Sequence, residues 1–197
     1  MKKMNKLFYK IFFFVLLSFS VSAENKILNI GDQGAKVTVK VFSSLTCPHC
    51  ANFHKNIFEN LKKEYIDNNK IRFEHHSFPL DLAALNAEII IRCETNNNKR
   101  FQLLGEIYKK QSQWAVGSDI NIINESIKKI GLTFGLSNKK MDNCLKNEVA
   151  QDEILNERIE AQKQYKIKST PTIYINEKQY NDKHEYKLFK QALEKLL

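Results

Sequence analysis

Two adjoining stretches decide how this chain reads: Val37-Thr38-Val39-Lys40-Val41-Phe42 and, four residues further on, Cys47-Pro48-His49-Cys50. The first alternates apolar and polar side chains, the period of a half-buried β-strand. Just past the second, Phe53, Ile57, Leu61 and Tyr65 recur at helical spacing. The two thiols therefore stand where a strand hands over to a helix, and there C-x-x-C reads as a redox motif. The N–H groups of a helix's first turn have no intrahelical partner, and the helix dipole is positive at that end. Both favour a thiolate at Cys47, and His49 between the thiols adds positive charge when protonated. Cysteine pKa values fall to roughly 3.5–7.5 in such surroundings. One thiol then attacks a disulfide and the second resolves the mixed disulfide.

Working outward, Ile27-Leu28-Asn29-Ile30 reads as an edge strand before a turn at Gly31-Asp32-Gln33-Gly34. The core strand is 37–43 and the helix carrying the thiols spans about 49–67, ended by Asn68-Asn69. A second strand runs from Ile71 to Phe78, with Ile71, Phe73 and His75 on one face. Strand, helix, strand is a βαβ unit, which implies parallel strands and a right-handed crossover. Of His75 and His76, the alternation places one ring inside and one outside.

From Asp81 to Val149 the patterns are helical. Leu82, Leu85, Ile89 and Cys93 share a face, as do Phe101, Leu104 and Tyr108. Ile120, Ile123, Ile127 and Ile130 form the cleanest stripe, with Ser118 or Asp119 to cap its start and Gly131 its end. Met141, Cys144 and Leu145 form a shorter one. A helix at about 148–165 precedes Ser169-Thr170-Pro171-Thr172-Ile173-Tyr174-Ile175, a β-rich run that Asn176-Glu177-Lys178 turns back toward Tyr180. Asp182, with Glu185 three positions on, predicts a capping box for a last helix that buries Phe189, Leu193 and Leu196. Trp114 reads as core or a loop anchor, His54 as solvated, and Lys128-Lys129 and Lys139-Lys140 as solvated helix faces.

The 197 residues suit one domain with an insertion, and 43% hydrophobic content suffices for a core. Residues 1–23 read as a secretory signal peptide, cleaved after Ala23. They have a basic start, the apolar run Ile11–Leu17 and Val21-Ser22-Ala23 at the end. The apolar part is shorter than the roughly 20 residues a membrane span needs. Removing its four lysines from 31 basic residues leaves 27 against 22 acidic ones, a net +5. That is a mildly basic surface without the concentrated Lys/Arg tract that suits nucleic acid. Export places the cysteines in an oxidising compartment, the periplasm, where disulfides persist.

The Cys47/Cys50 pair admits three readings. A redox-active dithiol is the first. Half of a zinc site is the second, but a structural zinc site needs four ligands, and the chain has no second C-x-x-C. A plain structural disulfide is the third, though a loop so small gains little chain-entropy stabilisation.

Cys47-Pro48-His49-Cys50, with Thr170-Pro171 about 120 residues later ahead of a strand, resembles the DsbA type of thiol:disulfide oxidoreductase. The resemblance spans 27–197 in order of elements and is sharpest at 41–53 and 169–176. It implies an α/β, thioredoxin-like fold with a central mixed β-sheet and an inserted all-helical subdomain. The thioredoxin-like part would comprise 24–80 and 150–197, and the helical insertion 81–149. It implies further that Cys47 is the nucleophile, Cys50 the buried resolving thiol, His49 the histidine that stabilises the Cys47 thiolate, and Pro48 part of the same motif. Pro171 would be the cis-proline facing the active site and Thr170 the residue before it, its backbone free to pair with an extended substrate. Some members bridge two helices of the insertion, so the resemblance implies a structural Cys93–Cys144 disulfide. Closing a loop of about 50 residues, it would contribute roughly 3–4 kcal/mol. One departure stands out: relatives often carry a buried acid six residues before the nucleophile, where this chain has Val41.

The function so implied is a periplasmic dithiol oxidase that passes its Cys47–Cys50 disulfide to reduced exported proteins. A membrane quinone-linked reoxidase of the DsbB type would recharge it. It would act as a monomer, with no cofactor or metal and no nucleic acid. A threonine before the cis-proline also occurs in isomerase-like relatives, so a reductase or isomerase of the same fold is the rival within the chemistry. A non-enzymatic holdase or metal carrier, using Cys47, Cys50 and His49, is the rival of another class.

Overall fold

The computed structural model describes residues 27–197. The signal segment expected at 1–23 lies outside the described residues. Among the described residues no helix is long and apolar enough to cross a membrane.

Five strands form one mixed sheet in the order β1-β3-β2-β4-β5. They are β1 Leu28–Gly31, β2 Val37–Ser43, β3 Ile71–Ser77, β4 Thr172–Ile175 and β5 Lys178–Gln179. The predicted alternation at 37–43 is β2, held between β3, which runs parallel to it, and antiparallel β4. Val37, Val39 and Val41 point into the main core, while Phe42 on the other face packs with Phe78, Ala161 and Ile167. β1 is the edge strand antiparallel to β3. It stops at Gly31, whose φ of +100° suits glycine and where a Cβ would strike the Ile71 carbonyl oxygen.

Between β2 and β3 one continuous helix carries the thiols. It opens as α1 (Pro48–Phe53), widens into a π turn at His54–Phe58, tightens at α2 (Glu59–Leu61) and widens again at Lys62–Ile66. Pro48 occupies the first turn, where its missing N–H costs nothing. Phe53, Ile57, Leu61 and Tyr65 are all buried.

Seven further helices follow: α3 (Leu82–Cys93), α4 (Asn97–Lys109), α5 (Gln111–Trp114), α6 (Ile120–Thr133), α7 (Asn138–Leu145), α8 (Glu148–Tyr165) and α9 (Tyr186–Glu194). Side chains of Asp81, Asn96, Asp119, Ser137 and Asn147 each accept a backbone N–H at a helix start. Each satisfies a donor the helix cannot. The apolar faces of α3, α4 and α6 join the strand valines in one core. Cys93 on α3 and Cys144 on α7 are joined in a disulfide with Cα atoms 6.1 Å apart.

Several local expectations fail, each for a tertiary reason. Gly131 does not end α6, which runs on to Thr133. A Cβ at Gly131 would meet the Met141 sulfur, so this glycine admits the α7 side chain, and the reversal comes at Gly135 with φ +84°. Asp182 caps nothing: α9 starts at Tyr186 with Glu185 before it and no side-chain cap bond. Leu82 and Leu196 are exposed at their helix ends. His75 and His76 are both buried, because β3 is covered on both faces and each ring has a carboxylate of its own. His75 Nε2 lies 2.7 Å from Glu88, and His76 Nε2 lies 2.9 Å from Glu74. Lys128 is buried as well, its Nζ 2.6 Å from Glu125 and 2.7 Å from Asp142. Trp114 is core, donating its indole N–H to the Ile107 carbonyl at 2.8 Å.

Candidate functional site

Cys47 is the residue before α1, with an extended backbone, and Cys50 lies in the first turn. The Cys50 N–H closes that turn on the Cys47 carbonyl at 3.1 Å. Both thiols are unbridged here. Cys47 keeps 7% of its surface and Cys50 only 1%, so a bulky reactant can reach the first sulfur and not the second.

The Cys47 thiol donates to the Thr170 carbonyl at 3.3 Å, which brings the segment before β4 against the start of α1. The Thr170–Pro171 peptide bond is cis, and Pro171 is buried. The Thr170 hydroxyl is buried with no hydrogen-bond partner. Around this point Cys47 is held down to about 5. Its first cause is the Cys50 thiol, which donates to the thiolate. Burial opposes, and the backbone N–H groups of Cys50 and His49 add to the lowering. Cys50 moves the other way, far above the thiol range, through burial first and then proximity to Cys47. One sulfur is thus an anion at neutral pH while its neighbour keeps its proton.

His49, expected to act through its ring, contributes to this lowering through its backbone N–H, and the residue is exposed. Its ring charge falls on His184 ahead of α9, which is lowered by burial and then by His49. Val41 is 1% exposed and offers no acid. His54 is not solvated as expected. Its ring packs at a tilt against those of Phe58 and Tyr108, under Gly105, and burial holds its imidazole down to about 3.

Sequence reading missed Gln111. Its buried side-chain amide donates to the carbonyls of Leu45 at 2.7 Å and Cys47 at 3.1 Å, tying the start of α5 to the loop before the thiols. Ser44 and Thr46 brace the same loop, Thr46 donating to Asp81 at 2.7 Å. Only the polar type of residue 111 hinted at this, since its partners are backbone atoms some 65 residues away. Among the described residues no three His, Cys, Asp or Glu side chains converge as a metal site. A cleft of about 1420 Å³ opens beside Pro48, between the thiol-bearing helix and α4, with His54, Gly105 and Tyr108 in its wall.

A mixed sheet with a parallel βαβ unit, two thiols at the first turn of its helix and a proline-led strand facing them define a thioredoxin-fold dithiol protein. The family described as Thioredoxin matches residues 22–195. The chain belongs to that family, and its fold is the DsbA-type variant with added helices. It is 32% identical over 162 residues to a putative protein-disulfide oxidoreductase of Rickettsia conorii, covering 82% of this chain and 57% of that protein. The chain thus spans little more than half the length of the rickettsial relatives it matches. It is 27% identical to disulfide bond formation protein D of Bacillus subtilis, over 86% of this chain and 76% of that one. In solved structures the fold resembles alpha-DsbA1 of Wolbachia pipientis, with TM-score 0.80 and 24% identity over 87% of this chain and 91% of that chain. BdbD of Bacillus subtilis follows at TM-score 0.70 and 21% identity, over 86% and 91%.

Proposed function

We propose that this chain is an exported thiol:disulfide oxidoreductase working as an oxidase, donating its Cys47–Cys50 disulfide to reduced proteins. Its relatives' names, protein-disulfide oxidoreductase and disulfide bond formation protein, support the reaction class. The observation that carries the direction is the opposed displacement of the two thiols, Cys47 down and Cys50 up. A sulfur stabilised as thiolate leaves readily, and it makes the reduced enzyme the lower state, so the disulfide is a strong oxidant.

In this reading a client thiolate attacks the more accessible member, Cys47, and Cys50 departs to be protonated in the interior. A second client thiolate then attacks the client sulfur, releasing Cys47 as its thiolate and leaving the client oxidised. Pro48 starts the helix that polarises Cys47, His49 adds a backbone N–H, and Thr170 with Pro171 forms the wall across which the client lies. The Cys93–Cys144 bridge staples the helical insertion, residues 81–149, set between thioredoxin-like parts 24–80 and 150–197. The site of action is the periplasm and the reoxidant a quinone-linked membrane oxidase of the DsbB type.

Equilibration of the mature chain with glutathione buffers tests this. A potential well above that of thioredoxin, roughly −270 mV, together with loss of peptide oxidation in Cys47→Ser, is the expected result. A potential at or below that value would make the protein a reductase.

A further inference from the structure

The apolar stripe along α3 runs on past the core. Leu85, Ile89 and Cys93 are buried, as helical spacing predicts, but Leu82 at the head of the stripe is 54% exposed. Leu80, two residues earlier, is 52% exposed. Apolar side chains scattered singly over a surface need no explanation. Two that flank one residue and are held in place beside a reactive thiol do.

What holds them is the loop that leads to Cys47. The Phe78 N–H donates to the Ser43 carbonyl at 2.8 Å, and the Leu80 N–H to the Ser44 hydroxyl at 3.3 Å. The Thr46 hydroxyl donates to one carboxylate oxygen of Asp81 at 2.7 Å, and the other oxygen accepts the Ala84 N–H at 2.8 Å. The Cys47 N–H in turn donates to the Ser44 carbonyl at 3.1 Å. Ser44 and Thr46 therefore fix both the thiol and the turn at 80–82. Asp81 has an extended backbone, and its carboxylate is taken up by Thr46 and the start of α3, while the leucine on each side faces solvent. A surface ordered before contact loses little freedom on binding.

We propose that Leu80 and Leu82 form a client-docking ridge, which receives apolar side chains a few residues from the cysteine of a reduced, unfolded protein. The proposal rests on the reading of Cys47 and Cys50 as a disulfide donated to proteins. The ridge is clamped to Thr46, the residue before Cys47. An extended chain advances about 3.3–3.6 Å per residue, so side chains three or four places from a client cysteine at Cys47 reach this turn. Cysteine is among the residue types most often buried in folded proteins, and its neighbours in a client are commonly core residues. Those neighbours are exposed only before folding, while the cysteine still awaits oxidation. Two leucines held beside Cys47 thus favour chains that have not yet folded. Glutathione, with one residue on each side of its cysteine, does not reach the ridge.

The test mixes the oxidised mature chain with reduced glutathione or with one of two dithiol peptides, quenches with acid and reads the second-order rate of disulfide transfer by mass. The peptides differ only at the third and fourth residues beyond each cysteine, leucine in one and serine in the other. Wild type should oxidise the leucine peptide at least five-fold faster. The double variant Leu80→Ser, Leu82→Ser changes two half-exposed side chains, so the fold is expected to survive. It should bring the preference below two-fold and leave the glutathione rate as it was. A preference below five-fold in wild type, or one that stays above two-fold in the variant, would overturn the ridge and leave the oxidase reading standing. An equal fall for all three reactants would overturn it too, since that marks a disturbed thiol loop. A wild-type dimer in sedimentation that the variant abolishes would give the ridge to a second copy of this chain. Wild type that exchanges with glutathione and oxidises neither peptide would overturn the oxidase reading itself, and the ridge with it.

Discussion

The Sγ of Cys47 lies 3.3 Å from the carbonyl oxygen of Thr170, a residue 123 positions further along the chain. Nothing local holds them together. The antiparallel pairing of β2 with β4 brings Phe42 opposite Thr172, and the ends of those two strands deliver the thiol and the carbonyl to the same point.

Thiolate absorbance near 240 nm in the reduced protein should titrate with a midpoint of about 5. The Cys50 thiol is the first cause of that lowering, so Cys50→Ala should move the midpoint up by at least one unit. Cys50→Ser, which keeps a donor, should move it less. A midpoint unchanged in Cys50→Ala would mean that the backbone N–H groups alone hold the anion.

The same titration governs stability. Cys47 is lowered on folding, so the folded reduced protein binds fewer protons than the unfolded chain between the folded value of about 5 and the ordinary thiol range. The stability it adds is present in full above the ordinary thiol value and is lost as pH falls through that window toward 5. Urea midpoints of the reduced and oxidised forms should therefore converge as pH drops from 9 to 5. A constant gap between them over that range would rule out the linkage.

Gln111→Leu leaves the Leu45 and Cys47 carbonyls without their side-chain donor in a buried place. Stranding a buried acceptor costs about 1–3 kcal/mol. The expected result is a lower urea midpoint and slower exchange, because the loop that aims Cys47 loses its tie to α5. An unchanged midpoint would show that other groups reach those carbonyls.

Replacing both Cys93 and Cys144 with alanine opens a link across 51 residues. On the chain-entropy account it should cost roughly 3–4 kcal/mol, read as a lower urea midpoint at unchanged slope. The Cys47 titration should stay where it is, since neither residue touches the site.

His75→Ala should be the most damaging change away from the thiols. It leaves the Glu88 carboxylate 2% exposed without its nearest partner. Breaking a buried pair by removing one member costs about 3–5 kcal/mol. Glu88 is lowered in the fold, so the stability it adds is present above the usual carboxylate range and is lost as pH falls through it. The deficit of His75→Ala against wild type should therefore shrink below pH 4. A deficit independent of pH would point to lost packing instead.

The amino-acid sequence by itself determined that Cys47 and Cys50 stand between a strand and a helix, because alternation at 37–42 and the spacing of Phe53, Ile57, Leu61 and Tyr65 are local signals. It determined the start of α6 likewise, since the Asp119 cap acts on the turn beside it. Which polar groups are buried was decided only in three dimensions. His54, His76 and Lys128 looked solvated or half-solvated. They lie inside because other elements cover their second face, while the groups that make burial tolerable are partly local: Glu74 for His76, Glu125 with Asp142 for Lys128, and Phe58 with Tyr108 for His54. The surroundings of the two sulfurs are of the same kind: Thr170 and Gln111 arrive from the segment before β4 and from α5, and a hydrogen-bond partner from another element leaves no period in the sequence. Local pattern placed the thiols, and long-range packing set how differently the two hold their protons.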